Sequence, residues 1–403
     1  MKAVRPHVTL ILLLLFVEAS ADWRFENRIP VGSEAVDGLF HHLEGAGRKH
    51  IAVSENRVGV TWEDDSGGAP KVFLAMKRFS DGGFGPASRL STGDEAYEPA
   101  MAAMPGGRFA VAWEQDGGIY LGVYGGADSD GALKLPTEGV ASHASVAATR
   151  NGSVYLGWRE QRGKAWHLLL ARLEQQDNRL ELLTVRPILS GGSDAPLLSP
   201  SLAANESGLY IAWEDRAEGH TRLKFSYSHD QAGSFSEPVS LNEFLSDRNE
   251  YDRGSGVTRV SVAGFGKDEV VSAWMDKRRN EAGYGIFGSL GGDGDFGPNE
   301  KIHRGEGDRL PHYNPSAGGN RHGALVVAWD DYRMGDSDIW LATLDDGGEW
   351  GANFSPTPAS GPGEQSHASV ALDEAGGLHL VWIERESQMA PTRLWYGYGA
   401  VVP

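Results

Sequence analysis

The chain has 403 residues, no cysteine and a formal net charge of −18 at pH 7. Such an acidic chain is a poor partner for nucleic acids and anionic membrane surfaces, and packing rather than disulfides must stabilise it. Its 54 glycines and the scarcity of long apolar helical patterns predict an all-β protein with many tight turns.

The N-terminus has the layout of a secretory signal peptide over residues 1–21. Lys2 and Arg5 give a positive start, residues 10–17 are apolar, and small residues at 19–21 form a cleavage site. The apolar run is shorter than the ~20 residues needed to span a bilayer, although a retained membrane anchor is the alternative. We therefore expect a secreted or periplasmic protein with no membrane insertion after signal removal.

The rest of the sequence repeats with a period of roughly fifty residues. In every unit an alternating apolar strand ends on a tryptophan that is followed by polar residues. The seven tryptophans are Trp62, Trp113, Trp158, Trp213, Trp274, Trp329 and Trp382.

Three further strands accompany each tryptophan strand. An earlier strand carries small and β-branched residues, as in SVAAT at Ser145, and a third strand leads through a Gly- and Asp-rich turn into a fourth that opens on an aromatic residue. Four strands joined by short hairpins form the blade of a β-propeller. The alternation in LVVAW places Trp329 on the face between neighbouring blades.

The seventh unit stops after its third strand, TRLWYGYGAVVP. DWRFENRIP, which follows the signal peptide, is similar to the fourth strand of the sixth unit, GEWGANFSP, so Trp23 corresponds to Trp350. We therefore predict a single all-β domain over residues 22–403. It is a seven-bladed β-propeller of four-stranded antiparallel blades, closed by the N-terminal strand (22–31), which completes the last blade.

Two short patterns resemble known propeller families. SHDQAGSFSEP at Ser228 resembles the Asp-box turn of sialidases, with Ser228 and Asp230 matching, and WDDYRMGDSDIW resembles repeats of exported bacterial propellers. The resemblance implies a sialidase-like propeller in which the Asp caps backbone N–H groups. It does not imply sialidase activity, because Arg28 of NRIP aligns with residues of an outer strand and sialidases have six blades.

Candidate binding residues lie two positions before the serine that recurs in the first strands, or at the aligned position of units 1 and 2, where they should line the mouth of the central channel. In chain order this position holds Gly47, Glu98, His143, Ser199, Arg259, Asn314 and His367, and Tyr313 flanks Asn314. We predict ligand binding by Glu98, His143, Arg259, Tyr313, Asn314 and His367. The expected partner is a glycan or an extracytoplasmic protein.

Other functions remain open from the sequence. A His and a Tyr near an Arg could carry out β-elimination on a uronic acid, so an enzyme acting on acidic glycans, as lyase or hydrolase, is the alternative. A third possible function is that of a structural assembly module, which would use the rims of the propeller and not its channel. His143, His367 and Glu98 are metal-ligand types, yet both histidines lie in near-identical repeated words, so we predict no metal and no cofactor.

Three arginines that follow tryptophans could form an anion site. They are Arg216, Arg278 and Arg333. Each stands close to an aspartate of its own turn, so we expect charge-assisted hydrogen bonds inside the turns instead.

Overall fold

A computed structural model describes residues 23–402, except 33–38, 44, 46, 127–130, 177–178, 190–191, 244–255, 279–282, 306–309 and 346. The signal peptide predicted for residues 1–21 lies outside this part of the chain. The described residues contain no α-helix, only a 3₁₀ turn at Thr357–Ala359. None of their helical segments could cross a membrane.

The chain begins with two short strands and three blades. The first strands are β1 (Trp23–Phe25) and β2 (Ile29–Pro30). Blade 1 contains β3 (His41–His42), β4 (Ile51–Ser54), β5 (Arg57–Asp64), β6 (Lys71–Arg78) and β7 (Ser88–Arg89). Blade 2 contains β8 (Ala96–Met104), β9 (Arg108–Gln115), β10 (Gly118–Tyr124) and β11 (Leu133–Lys134). Blade 3 contains β12 (Val140–Ala148), β13 (Val154–Arg162), β14 (Ala165–Gln176) and β15 (Arg179–Pro187).

Four more blades follow. Blade 4 contains β16 (Leu197–Ala204), β17 (Leu209–Asp215), β18 (Arg222–Ser228) and β19 (Val239–Ser240). Blade 5 contains β20 (Val257–Phe265), β21 (Glu269–Asp276), β22 (Gly285–Gly292), β23 (Asp295–Phe296) and β24 (Glu300–Lys301). Blade 6 contains β25 (His312–Gly319), β26 (Leu325–Met334) and β27 (Asp336–Thr343). Blade 7 contains β28 (Glu364–Leu372), β29 (Leu378–Arg385) and β30 (Arg393–Val401).

The seven blades close into a ring. The innermost strands contact one another in the order β4, β8, β12, β16, β20, β25, β28 and back to β4. In blade 7 the N-terminal β1 pairs antiparallel with β30, with Trp23 opposite Val401. In blade 6 the place of a regular fourth strand is taken by two bridges, Leu341 to Phe354 and Leu344 to Trp350. The predicted seven-bladed propeller, closed by the N-terminal strand, is confirmed.

The repeated tryptophans form the core between blades. All seven are essentially buried, and Trp62 of blade 1 packs in one cluster with Val381 and Tyr396 of blade 7. In most units the indole N–H donates to a side chain two residues later, as in Trp62 to Asp64 (2.7 Å). The repeated Trp-x-Asp pattern is therefore a structural element, because it satisfies a buried donor.

A ring of serines links the innermost strands around the channel. The Oγ of Ser201, for example, accepts from the Val262 N–H of the next blade at 3.0 Å. The corresponding acceptors are Ser145, Ser261, Ser316 and Ser369, which bind the backbone N–H groups of Leu202, Ala317, Val370 and His50. Adjacent inner strands share no sheet ladder, so these hydroxyls satisfy backbone donors that would otherwise be buried without a partner.

Two outer features bear on the sialidase resemblance. In the turn after β18, Asp230 accepts from the Ser234 N–H (2.8 Å), the Ser234 hydroxyl (2.7 Å) and the Ser228 hydroxyl (2.8 Å). Arg28 lies over the Trp395 ring at 4.2 Å and pairs with Glu384. Arg28 therefore belongs to the outer part of blade 7, as its alignment predicts.

Candidate functional site

The predicted mouth positions share one backbone geometry. Each lies at a β-bulge, where the register of the innermost strand shifts, for example between Ser142 and Ser145. The six non-glycine residues there have φ between 47° and 56°: Glu98, His143, Ser199, Arg259, Asn314 and His367. This left-handed conformation costs a non-glycine residue roughly 1–2 kcal/mol. The bulge turns these side chains out of the regular alternation at one end of the channel.

A carboxylate from the preceding blade caps most of these bulges. The residue directly after the tryptophan accepts the bulge N–H: Glu63 for Glu98 (3.0 Å), Glu114 for His143 (2.6 Å), Glu214 for Arg259 (2.8 Å) and Asp330 for His367 (2.8 Å). Each of these bonds satisfies a backbone donor at a strained position and so helps to hold the left-handed conformation. Blade 3 has Arg159 in this position, and its Nε donates to the Ser142 hydroxyl at 2.8 Å.

Blade 1 departs from this pattern and fills the channel. Between β3 and β4 the pairing with β5 passes from His42 opposite Glu63 to Ile51 opposite Val60; we call the described residues between them (43, 45 and 47–50) the channel segment. Its Gly47 reaches the inner strand of blade 4, where a Cβ at Gly47 would lie 2.4 Å from the Ser201 Cβ. Lys49 extends to the Ser261 hydroxyl (3.1 Å) and the Ala317 carbonyl, on blades 5 and 6. Burial lowers the pKa of Lys49 to about 7.

Above the channel segment lies a cavity of about 300 Å³. Blades 1 to 5 contribute its charged and polar lining, which includes Arg48, Glu98, His143, Glu214, Arg216 and Arg259. Three guanidinium groups therefore converge on one small space in a chain that is otherwise strongly acidic.

Arg48 connects a pair of carboxylic acids in the cavity wall. Its Nη2 contacts Glu98 directly and lies 3.8 Å from Glu114. Burial, and then the negative charge of Glu98, raise the pKa of Glu114 to about 8. Although burial opposes it, Arg48 lowers the pKa of Glu98. At neutral pH the pair therefore holds one proton, on Glu114, and one negative charge, on Glu98.

His143 is a neutral imidazole beside this pair. Burial and the charge of Arg48 lower its pKa to about 3, and its Nδ1 lies 3.4 Å from the Ser199 hydroxyl. A neutral imidazole can accept one proton and donate another. The cavity wall therefore places a neutral imidazole that resists protonation, a protonated carboxylic acid and cations within one group of contacts.

A second network lies on the side of blades 6 and 7. The Arg259 Nη1 donates to the Asn314 Oδ1 at 2.8 Å, and the Asn314 Nδ2 donates to Asp330 at 2.6 Å. Burial raises the pKa of Asp330 to about 7. Burial and Arg259 lower the pKa of His367 to about 4. On this side of the mouth the Arg259, Asn314 and Asp330 side chains therefore form hydrogen bonds with one another.

The six predicted binding residues thus fall into three places. Glu98, His143 and Arg259 line the cavity. Asn314 and His367 belong to the network beside it. Tyr313 packs instead against Tyr284 and Tyr332 between blades 5 and 6. Binding by these residues stays a prediction.

Among the turn arginines, the prediction holds for two and is wrong for one. Arg278 donates to Asp276 (2.6 Å) and Arg333 to Asp331 (2.7 Å). Asp215 instead accepts the Ala217 N–H, and Arg216 is exposed and lines the cavity. Within the described part of the chain, the Arg216 guanidinium has no ion-pair or hydrogen-bond partner.

Sequence analysis missed the residues directly after the tryptophans and the channel segment. A signal for the first was present, because Glu63, Glu114, Glu214 and Asp330 share one position of the repeat. For Arg48 a signal was also present: it follows Gly47 directly, at a position where the other units have Pro, Ala or Val. Which residues it meets could not be inferred, because they lie on the next blade. A metal shared by His143, His367 and Glu98 finds no support either: the described residues contain no group of three such side chains placed to hold an ion.

The chain matches no protein-family model and no curated protein. Its structure is similar to an ulvan lyase from a new polysaccharide lyase family, with a TM-score of 0.62 and 10% identity over 91% of this chain and 95% of the lyase. The same lyase bound to -[GlcA(1-4)Rha3S]- gives a TM-score of 0.60. A Dyadobacter fermentans protein of unknown function gives 0.53 at 10% identity, covering 94% of this chain and 99% of that one.

A Trypanosoma rangeli sialidase is also similar, with a TM-score of 0.50 and 8% identity over 94% of this chain and 60% of the sialidase. At such identities the similarity shows the propeller fold alone. These neighbours include glycan-active proteins, but the similarity does not assign their activities to this chain.

Proposed function

We propose that this protein binds an acidic glycan in the cavity at the mouth of its channel. The observation that carries the proposal is the exposed Arg216 guanidinium in the lining of a cavity that also contains Arg48 and Arg259. The Arg216 guanidinium has no partner among the described residues, and the Arg48 Nε is buried without one. Glu214, by contrast, is occupied by the Arg259 N–H and the Thr258 hydroxyl. A uronate carboxylate or a sulfate in the cavity would pair with the exposed Arg216 guanidinium. The Arg48 Nε is not accessible to such a ligand, so Arg48 contributes its charge and not this hydrogen bond.

The fold supports this ligand class by analogy. The ulvan lyase with the same fold is bound to a glycan containing uronic acid and sulfated rhamnose. The net charge of −18 repels polyanions in general, so an acidic ligand must be recognised by a local group of cations. The cavity provides that group.

Catalysis on the same ligand is the second candidate, favoured by protonated Glu114 beside ionised Glu98 and neutral His143. Two observations weigh against it. Tyr313 packs away from the cavity lining, so the predicted His–Tyr–Arg set is not assembled. Glu98 and Glu114 interact directly, whereas the two carboxyl groups of glycosidases stand about 5 Å apart or more, with the sugar between them.

The test is a panel of uronic, sulfated, sialylated and neutral glycans, measured with the protein and with Arg216→Ala. We expect binding to uronic or sulfated glycans and a loss of at least tenfold in Arg216→Ala. Arg150→Ala, an exposed arginine in the turn at the opposite end of β12, is the matched control and should bind normally. Equal binding by Arg216→Ala would contradict the assignment of the cavity. New reducing ends or unsaturated uronates would favour the enzyme.

We also propose that the protein is exported and related to sialidase-like propellers. The N-terminal sequence pattern and the capped turn at Asp230 support these two points. Mass spectrometry of the protein from its native cell should find Asp22 at the N-terminus. An intact Met1 would refute cleavage, and recovery of the protein in the cytoplasmic fraction would refute export. Homologues in which Ser228 and Asp230 vary freely would refute the relationship.

A further inference from the structure

The cavity is closed beneath by the channel segment. The Gly47 backbone lies against Ser201 on the far wall, and its carbonyl accepts weakly from the hydroxyls of Ser145 (3.4 Å) and Ser201 (3.5 Å). Lys49 crosses to blades 5 and 6. A glycan that enters at the mouth therefore cannot pass down the channel.

The opposite end of the channel is bridged as well. Glu374 of blade 7 accepts from Arg321 of blade 6 at 2.6 Å and from Arg150 of blade 3. Blades 3 and 7 lie on different sides of the ring, so this ion pair extends across the opening. Because these side chains are 41–57% exposed, the ion pairs lie over the opening without sealing it, and it is the channel segment that separates the cavity from this end.

The side toward blades 6 and 7 is also bounded. Gly45 of the channel segment lies against Arg259 and Asn314, and Asn314 is held by buried Asp330. The remaining space, about 300 Å³, is at the lower end of the ~300–1,000 Å³ found for ligand sites. It suits one or two sugar residues, not a longer stretch of chain.

From this geometry, and resting on the proposed function, we infer that the cavity takes the terminal residue of an acidic glycan, with the rest of the chain directed into solvent. An internal residue carries two glycosidic linkages, and both would have to leave through one opening. A terminal residue carries one. Arg216, exposed at the rim on blade 4, meets the acidic group of the terminal residue or of the next one.

The test is binding stoichiometry against chain length. Oligogalacturonates and heparin fragments, each as dimer, tetramer and octamer, are titrated into the mature protein in a calorimeter. End recognition predicts one protein per chain at every length, and a Kd per chain that changes by no more than about twofold. Arg216→Ala should weaken binding at every length, and Arg150→Ala should not.

Two results would overturn the inference. If the number of proteins per chain rises with length, internal residues are bound, and the proposed function stands without end recognition. If no member of either series binds, the proposed function fails and this inference fails with it. Reducing the sugar at the reducing end then identifies the recognised end: unchanged binding assigns the non-reducing terminus, and lost binding assigns the reducing terminus.

Discussion

The proton shared by Glu98 and Glu114 can be located by two neutral, isosteric substitutions. Arg48 contacts Glu98 directly but lies 3.8 Å from Glu114, so the charge belongs on Glu98 and the proton on Glu114. Glu114→Gln therefore replaces a group that is already neutral in the folded protein. Glu98→Gln removes the charge that balances buried Arg48.

The expected magnitude follows from the pKa of Glu114. Folding raises it from 4.5 to about 8, so the folded protein holds an additional proton between these pH values. The stability associated with this proton is present below pH 4.5 and is lost as pH rises to about 8. At about 1.4 kcal/mol per pKa unit the loss reaches at most about 5 kcal/mol; because the Glu114 side chain is 18% exposed, we expect roughly 2–3 kcal/mol.

The assay is urea unfolding of the protein and both variants at pH 5, 7 and 9. Glu114→Gln should match the parent near pH 5 and exceed it by roughly 2–3 kcal/mol at pH 9. Glu98→Gln should be less stable than the parent at pH 7, by less than the roughly 3 kcal/mol expected for an unpaired buried charge, because without the Glu98 charge the pKa of Glu114 falls and an ionised Glu114 can pair with Arg48. The reasoning is refuted if Glu114→Gln loses stability with pH as the parent does, or if the two variants exchange behaviour.

Two further predictions concern the framework of the ring. Ser201→Ala should lower the free energy of unfolding by about 1–3 kcal/mol, because the buried Val262 N–H loses its acceptor; faster hydrogen exchange at Val262 checks the cause, and unchanged exchange would contradict it. Trp329→Phe should cost about 1 kcal/mol more than Trp382→Phe, because Trp329 donates to Asp331 at 2.8 Å whereas the buried Trp382 Nε1 has no partner. Urea unfolding compares the two, and equal losses would show that the Trp-x-Asp bond contributes nothing.

Much of the propeller could be predicted from the sequence because its signals are local and repeated. The alternation of apolar residues within the strand is enough to place Trp329 between blades, and this prediction does not depend on residues that are distant in the sequence. The missing strand of the seventh unit required a partner, and the segment at Trp23 had the matching pattern. In five of the seven units a serine follows the bulge position by two residues, and the spacing of the repeat assigns Glu98 to the same position. The structure puts Glu98, His143 and Arg259 in the cavity lining, and their role in binding stays a prediction.

The interpretation of the site was less complete, for reasons that are also physical. Tyr313 is adjacent to Asn314 in sequence, but it packs against Tyr284 and Tyr332. Arg216 looked like Arg278 and Arg333, yet Asp215 is occupied by a backbone N–H, which leaves Arg216 for the cavity. Which contact a side chain makes depends on residues that folding brings next to it, so the adjacent residues in the sequence do not predict that contact.

From the sequence by itself we could predict seven blades, although six plus an odd unit stayed open, together with the burial of the tryptophans and one aligned position in each innermost strand. Each depends on a period of two within a strand and of roughly fifty along the chain. Only the tertiary structure decided the chemistry of the mouth. Gly47 meets Ser201, 154 positions away, and Arg48 meets Glu98 and Glu114 on the next blade. Ring closure brings these residues together, and their charges and pKa values follow from that proximity.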